Sequence, residues 1–157
     1  MKQAAAPEAV PTGQKKGSLK AAVSALSKAL ERAWSQETSF DPERWSADNP
    51  AWGQCAVTAL IVQDALKGQL VRGTVGNVEH YWNRLPSGRY IDLTRHQFGH
   101  RVAPKLIEQT SRDYVLSFPE TVRRYDRLRR RLQLPGRVGS AVPVSTTSEG
   151  NLPQKTR

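Results

Sequence analysis

The chain has 157 residues, enough for one domain of ordinary size with short tails, and its 38% hydrophobic residues and four Trp are sufficient for a core. The formal net charge of +10, carried mostly by arginine, permits binding to nucleic acid, anionic lipid or an acidic partner without selecting among them. The single cysteine excludes an internal disulfide and a cysteine-rich zinc site, and a free thiol suits a reducing compartment.

The two ends of the chain differ in composition from the middle. Residues 1–17 are rich in Ala, Pro, Gly and Lys, residues 135–157 have a similar small-residue and proline-rich composition, and neither shows periodicity, which predicts disordered tails. A single globular domain is then expected at 18–134. The N-terminus lacks an apolar stretch typical of a signal peptide, and no run approaches the roughly 18 apolar residues of a membrane span. We therefore expect a cytoplasmic protein.

Helical spacing of apolar residues predicts a first helix that is capped by Ser18 and ends near Ala33. Residues 34–54 follow as a long loop with three Trp, which are expected to pack beneath the loop or to form the wall of a cleft. A second helix is predicted from about Trp52 to Leu66, with Gly68 beyond its end.

Three short strands are predicted next, in the segments "QLVRGTV", "VEHYWNRL" and "RYIDL". Gly76-Asn77 separates the first two as a two-residue hairpin turn, and Pro86-Ser87-Gly88 fits a three-residue hairpin loop between the second and third. This loop pairs Trp82 with Asp92, so His80 and Asp92 become diagonal neighbours on one face.

The last predicted helix runs from about Pro119 to Leu132. Its apolar stripe is expected to pack on the domain, and its outer face is mostly arginine. The stripe consists of Val122, Tyr125, Leu128 and Leu132.

Cys55 lies where the long loop turns into the second helix, in "NPAWGQCAVTALIVQD". A lone cysteine in an apolar helix is usually packing, but a helix N-terminus and a nearby imidazolium would stabilise its thiolate. His80 as base and Asp92 as orienting group would complete a nucleophilic triad. Gln54 is a candidate oxyanion donor, and Trp52 and Trp82 are candidate walls of the substrate site.

Three motifs carry a resemblance to known enzymes. "GQC" at a helix start, then "HYWN" and "GRYIDLT", resembles the transglutaminase-like and papain-like cysteine enzymes, whose triad runs in the order Cys, His, Asp. The longer pattern over about residues 34–132, which includes "WSQETSFDPERWSADNPAWGQC" and closes with "ETVRRYDRLRRRL", resembles the YunG-like family of small bacterial proteins. The resemblance implies a nucleophile at Cys55, a base at His80 and an orienting acid at Asp92, and it leaves the substrate open.

Two other site types compete with this reading. His96 and His100 have a spacing of four residues, which suits two metal ligands on a helix, but Gly99 between them makes a helix doubtful. Six Arg between positions 123 and 131 form either a solvated helix face or a surface for phosphates, with at most weak, non-specific nucleic-acid binding. A non-catalytic module that binds a protein partner also remains open.

The sequence thus predicts an α+β fold in which the helix with Cys55 packs on a three-stranded antiparallel sheet between N- and C-terminal helices. The expected function is cysteine-dependent hydrolysis or acyl transfer at an amide or ester carbonyl of a peptide, protein or small molecule. No cofactor, metal or membrane partner is implied, and the oligomeric state is left open.

Overall fold

A computed structural model describes residues 16–99 and 103–134. The predicted α+β class is confirmed. The helices are α1 Lys16–Ala33, α2 Cys55–Leu66, α3 Arg112–Leu116 and α4 Pro119–Arg131, with short 3₁₀ helices at Gln36–Thr38 and Arg95–Phe98. The strands are β1 Gln69–Val75, β2 Val78–Arg84, β3 Tyr90–Ile91 and β4 Lys105–Thr110.

The sheet has four strands in the order β3-β2-β1-β4, rather than the three predicted. β4 is the additional strand, and it pairs antiparallel with β1, where Leu70 lies opposite Thr110. Because β4 joins the edge of the sheet farthest from β3, no short hairpin connects it to its partner. The turn signals that indicated the other three strands are therefore missing for this one.

Both hairpins have the predicted register. β1 and β2 meet at Val75 opposite Val78, around the Gly76-Asn77 turn. β2 and β3 pair Asn83 with Ile91, and just beyond them the Leu85 N–H donates to the Arg89 carbonyl at 2.8 Å. The loop Pro86-Ser87-Gly88 therefore aligns the two strands as its length requires.

Two helix starts differ from the predictions. α1 already includes Lys16, so Ser18 lies within the helix and is not its cap. The predicted N-terminal tail is correspondingly too long at its inner end, and the rest of it, like the predicted tail at 135–157, lies outside the described residues. α2 begins at Cys55 rather than near Trp52, because Gly53 has φ +71°, which lies outside the helical region, and Gln54 is the N-cap.

α2 is the centre of the core, because it is apolar on nearly all sides and other elements cover it. Its central residues from Val57 to Val62 are all buried. One hydrophobic cluster joins α2 to α1, β1, β2, α3 and α4, and it includes Leu30, Trp34, Leu60, Ile61, Leu70, Tyr81, Val115, Tyr125 and Leu128. The amide of Asn83 on β2 donates to the Ala59 carbonyl at 2.9 Å, which adds a buried polar link between helix and sheet.

α4 packs through its predicted stripe. Tyr125 and Leu128 are fully buried, and Val122 and Leu132 are half-buried. The arginines are less uniformly solvated than predicted, since Arg129 turns inward and its guanidinium pairs with Asp64 of α2 at 2.9 Å. In the described ranges, no helix is long and apolar enough to cross a membrane.

The hydrogen bond between Trp34 and Thr58 provides a test of how the end of α1 is fixed to α2. The buried Trp34 Nε1–H donates to Thr58 Oγ1 at 2.9 Å. Thr58→Val keeps the shape and leaves this buried donor without an acceptor, so we expect a loss of about 1–3 kcal/mol in the free energy of unfolding, measured by urea denaturation. Thr74→Val in β1 is the matched control and should change stability by under about 0.5 kcal/mol. Equal effects of the two substitutions would contradict this account.

Candidate active site

Cys55 is the first residue of α2, so its backbone N–H has no acceptor within the helix. Gly53 makes the turn into the helix with φ +71°, and a Cβ there would lie 2.3 Å from Ser39 Oγ. The Gly53 carbonyl accepts a hydrogen bond from the Phe40 N–H at 2.8 Å. Close packing of the loop ends thus fixes the position of Cys55, whose side chain is half-buried.

His80 and Asp92 are in direct contact, as the predicted register of β2 and the segment after β3 requires. His80 Nε2 lies 2.6 Å from Asp92 Oδ2. The other carboxylate oxygen accepts hydrogen bonds from the N–H and hydroxyl groups of Thr94, at 3.0 and 3.2 Å. Asp92 is therefore held at both oxygens, which fixes the plane of the carboxylate that binds the imidazole.

Aromatic rings hold the His80 imidazole, which is fully buried. Trp82 stacks on it with ring centroids 5.4 Å apart and an interplanar angle of 23°, and Phe98 meets it edge-on at 4.9 Å. Gly73 lies opposite His80 on β1, and a Cβ there would lie 2.9 Å from the Trp82 ring. The absence of a side chain at Gly73 therefore makes room for the indole that supports the imidazole.

The Cys55 thiol acts on the same ring. Burial opposes protonation of His80, but the hydrogen bond to the Asp92 carboxylate and the electrostatic influence of Asp92 and Cys55 outweigh it and raise the pKa of His80 to about 9. Since Nε2 is bonded to Asp92, Nδ1 is the nitrogen that remains for the thiol. Nδ1 is buried and makes no hydrogen bond of standard geometry within the described residues. The imidazole is therefore bonded to a carboxylate through Nε2, has no hydrogen bond at Nδ1 within the described residues, and lies within electrostatic range of Cys55.

Cys55 opens into a cleft of about 660 Å³. The cleft lies between the long loop, the start of α2, the β1–β2 turn, the second 3₁₀ helix and the start of α4. Its walls are largely apolar and include Phe40, Trp52, Tyr81, Phe98, Val115 and Phe118. A cavity of this size and polarity is typical of sites for small molecules or single side chains.

The three predicted wall and oxyanion residues have different positions. Trp52 lines the cleft, and the Arg44 guanidinium lies 4.1 Å above its ring. Trp82 is buried behind His80, and it supports the imidazole instead of forming a wall. Gln54 is fully buried, it is not among the residues that line the cleft, and one N–H of its amide donates to the Ser35 carbonyl at 2.9 Å, which holds the loop to α2.

Gln97 lines the cleft and was not recognised from the sequence. Its side-chain oxygen accepts from the Gly53 N–H at 3.2 Å, and its backbone carbonyl accepts from the Asn49 side chain at 3.1 Å. Its Nε2 is buried and has no hydrogen-bond partner in the described part of the chain. Gln97 lies in "RHQFGH", between the two histidines that have the spacing of metal ligands. A single glutamine belongs to no sequence pattern that would predict a site residue.

The described geometry does not support a metal site at His96 and His100. His96 is exposed, and its ring lies 6.0 Å from that of Trp34, while His100 is outside the described residues. Within residues 16–99 and 103–134, no three His, Cys, Asp or Glu side chains are grouped so as to hold a metal ion.

The arginines of α4 have several partners within the protein. Arg123 pairs with Glu120 at 2.9 Å, Arg127 with Glu37 at 3.1 Å, and Arg131 donates to the Ala33 carbonyl. Part of the positive face is therefore neutralised internally, which leaves fewer charges for a phosphate backbone.

Sequence comparison identifies the family. The family model described as "YunG protein" matches residues 22–135, which is most of the chain. The chain belongs to the YunG family. A curated relative, "Uncharacterized protein YunG" of Bacillus subtilis (strain 168), is 35% identical over 69 residues, which cover 44% of this chain and 56% of the relative. The chain thus spans little more than half of that relative's length. No solved structure matches.

The raised pKa of His80 makes stability depend on pH. Between about pH 6.5 and 9, folded His80 retains a proton that the unfolded chain releases. The stabilisation is therefore complete below about pH 6.5 and is lost as the pH rises through about 9. We expect the free energy of unfolding to fall by up to about 1.4 kcal/mol per pH unit across this range.

Urea denaturation at several pH values will measure this slope. A His80→Gln variant should lack it, and a His96→Gln variant, which changes an exposed ring, should retain it. An identical pH dependence in the wild type and His80→Gln would show that His80 does not hold the proton.

Proposed function

We propose that the protein is a cysteine-dependent hydrolase or acyltransferase that acts on an amide or ester carbonyl, with Cys55 as nucleophile, His80 as base and Asp92 as orienting acid. The observation that carries the proposal is the contact of His80 with Asp92 at 2.6 Å on one side and its interaction with Cys55 on the other, behind a cleft into which Cys55 opens. The motifs "GQC", "HYWN" and "GRYIDLT" resemble those of papain-like and transglutaminase-like enzymes. They place Cys55, His80 and Asp92 in the order Cys, His, Asp that is found in those enzymes.

The chemistry follows from the positions of the two imidazole nitrogens. Nδ1 takes the thiol proton, while Asp92 accepts from Nε2–H and stabilises the imidazolium. The thiolate attacks the carbonyl carbon, the Sγ–C bond forms, and the proton on Nδ1 passes to the leaving amine or alcohol as its bond to the carbonyl carbon breaks. Water or an acceptor amine then releases the thioester with the same nitrogen as base.

Two donors are available to the oxyanion of the tetrahedral intermediate. One is the Cys55 backbone N–H at the start of α2, where the helix dipole also favours negative charge. The other is Gln97 Nε2, which is buried in the cleft wall without a partner in the described part of the chain. We assign Gln97 the role that the sequence suggested for Gln54.

A binding module without chemistry is the rival proposal. It would retain the cleft, but it gives no reason for a buried histidine to bind a carboxylate and interact electrostatically with the single cysteine. The two proposals differ in the reactivity of Cys55, since a packing cysteine is inert.

The first test is iodoacetamide labelling of the single cysteine between pH 5 and 9, followed by mass spectrometry. We expect wild-type Cys55 to react well below pH 8, because an imidazolium neighbour stabilises the thiolate. His80→Ala should slow labelling at pH 6 by about tenfold or more, and Asp92→Asn should have a smaller effect.

The matched control is His96→Ala, which removes an exposed imidazole outside the triad and should label as the wild type does. If His80→Ala and His96→Ala both match the wild type, Cys55 has no imidazole partner and the catalytic proposal fails.

The second test concerns Gln97 and compares acyl transfer with alkylation. Gln97→Met keeps the length of the side chain and removes the amide donor. Loss of one oxyanion donor should lower the rate of thioester formation from p-nitrophenyl acetate by about 10²- to 10³-fold. Alkylation by iodoacetamide forms no carbonyl oxyanion, so it should be unchanged. An equal loss in both reactions would show that Gln97 only holds Gly53 in place.

A further inference from the structure

The cleft has an apolar surface that reaches the exterior. Phe40 at its rim is 77% exposed and Phe118 is 46% exposed. Deeper in the cleft, Trp52 and Phe98 contact each other edge-on with ring centroids 6.3 Å apart. An aromatic or long aliphatic group would therefore be desolvated on several sides as it entered.

The acidic residues of the cleft each lie within ion-pair distance of an arginine. Each of the three that line it has a separate ion-pair partner: Asp41 with Arg44 at 3.9 Å, Glu79 with Arg72 at 3.2 Å, and Glu120 with Arg123 at 2.9 Å. These acids are thus poor sites for a cationic substrate.

Arg124 is the exception among the charged residues of the lining. Its Nη2 donates to the Thr121 hydroxyl at 3.1 Å, and its guanidinium lies 5.5 Å from the Phe40 ring centroid. Its Nη1 is buried and has no hydrogen-bond partner among the residues that the structure describes. Burial lowers the pKa of Arg124, while the charges of Cys55 and Glu120 act in the opposite direction. A desolvated guanidinium nitrogen without an acceptor is unfavourable, so this position suits an anion that arrives with a ligand.

From this geometry we infer that Arg124 is a specificity residue that binds a carboxylate on the substrate, while the aromatic walls of the cleft hold the substrate's apolar body. The inference rests on the proposed function, because it places the carboxylate in the cleft where Cys55 attacks. The substrate class is then an apolar acyl compound or peptide with a free carboxylate, and a planar guanidinium suits that group.

Two alkylating probes of similar size test the charge preference directly. Iodoacetate carries a carboxylate, and iodoacetamide carries a neutral amide in its place. The measured quantity is the ratio of their rates with Cys55 at pH 7. Arg124→Gln should lower the iodoacetate-to-iodoacetamide ratio by about tenfold, as expected for loss of a charge-assisted hydrogen bond. Added salt should lower the wild-type ratio as well.

Arg130→Gln is the matched control, because it removes the same charge from an exposed position on the same helix. It should leave the ratio within about twofold of the wild type. Equal ratios in Arg124→Gln and the wild type would overturn the inference. A parallel loss of both rates in Arg124→Gln would also overturn it, because the guanidinium would then serve the thiolate and not a ligand.

Protection experiments test the apolar part of the substrate. At millimolar concentration, 3-phenylpropionate should slow iodoacetamide labelling of wild-type Cys55 more than 3-phenylpropionamide does. Arg124→Gln should remove that difference. Equal protection by acid and amide in the wild type would contradict carboxylate recognition.

The outcomes separate this inference from the proposed function. If wild-type Cys55 reacts with neither probe below pH 8, Cys55 is not an activated nucleophile and the proposed function itself fails. If it reacts with both probes and the ratio of their rates does not depend on Arg124, Cys55 is still a reactive nucleophile. Only the inferred substrate class is then wrong.

Discussion

The hydrogen bond between His80 and Asp92 is the interaction on which the rest of the site depends. An imidazole that is completely buried between aromatic rings would ordinarily be neutral, because desolvation disfavours its charged form. The carboxylate at 2.6 Å and the neighbouring thiol reverse that preference. The supporting structure serves this pair: Thr94 binds the second carboxylate oxygen, and Gly73 leaves room for the indole of Trp82.

Most of this arrangement could be predicted because it depends on local rules. The length of the Pro86-Ser87-Gly88 loop determines the register, and the register places His80 and Asp92 on one face without any reference to chemistry. The change from a loop to an apolar helix in the sequence predicts the start of α2 to within three residues. Helical spacing likewise indicated the buried stripe of α4 at Tyr125 and Leu128.

What could not be predicted depends on contacts between distant segments. β4 pairs with β1 across the sheet, and no turn joins them. The positions of Gln54 and Gln97 relative to the cleft also depend on such contacts. Gln54 adjoins the cysteine but is held by Ser35, while Gln97 approaches through a separate 3₁₀ helix. Proximity in sequence therefore does not show which glutamine side chain lines the cleft, because that depends on contacts between distant segments.

The burial of His80 also limits the chemistry that the site can perform. Nε2 is bonded to Asp92, and the ring is packed against Trp82 and Phe98, so Nδ1 is the ring nitrogen left for proton exchange. Under the proposed function, the leaving group would lie next to Sγ when it receives its proton, as acyl transfer through a thioester requires. Free water would reach the base only through the cleft, and an apolar substrate would fill that path. In the proposed reaction, the acceptor would therefore enter the cleft after the leaving group has departed.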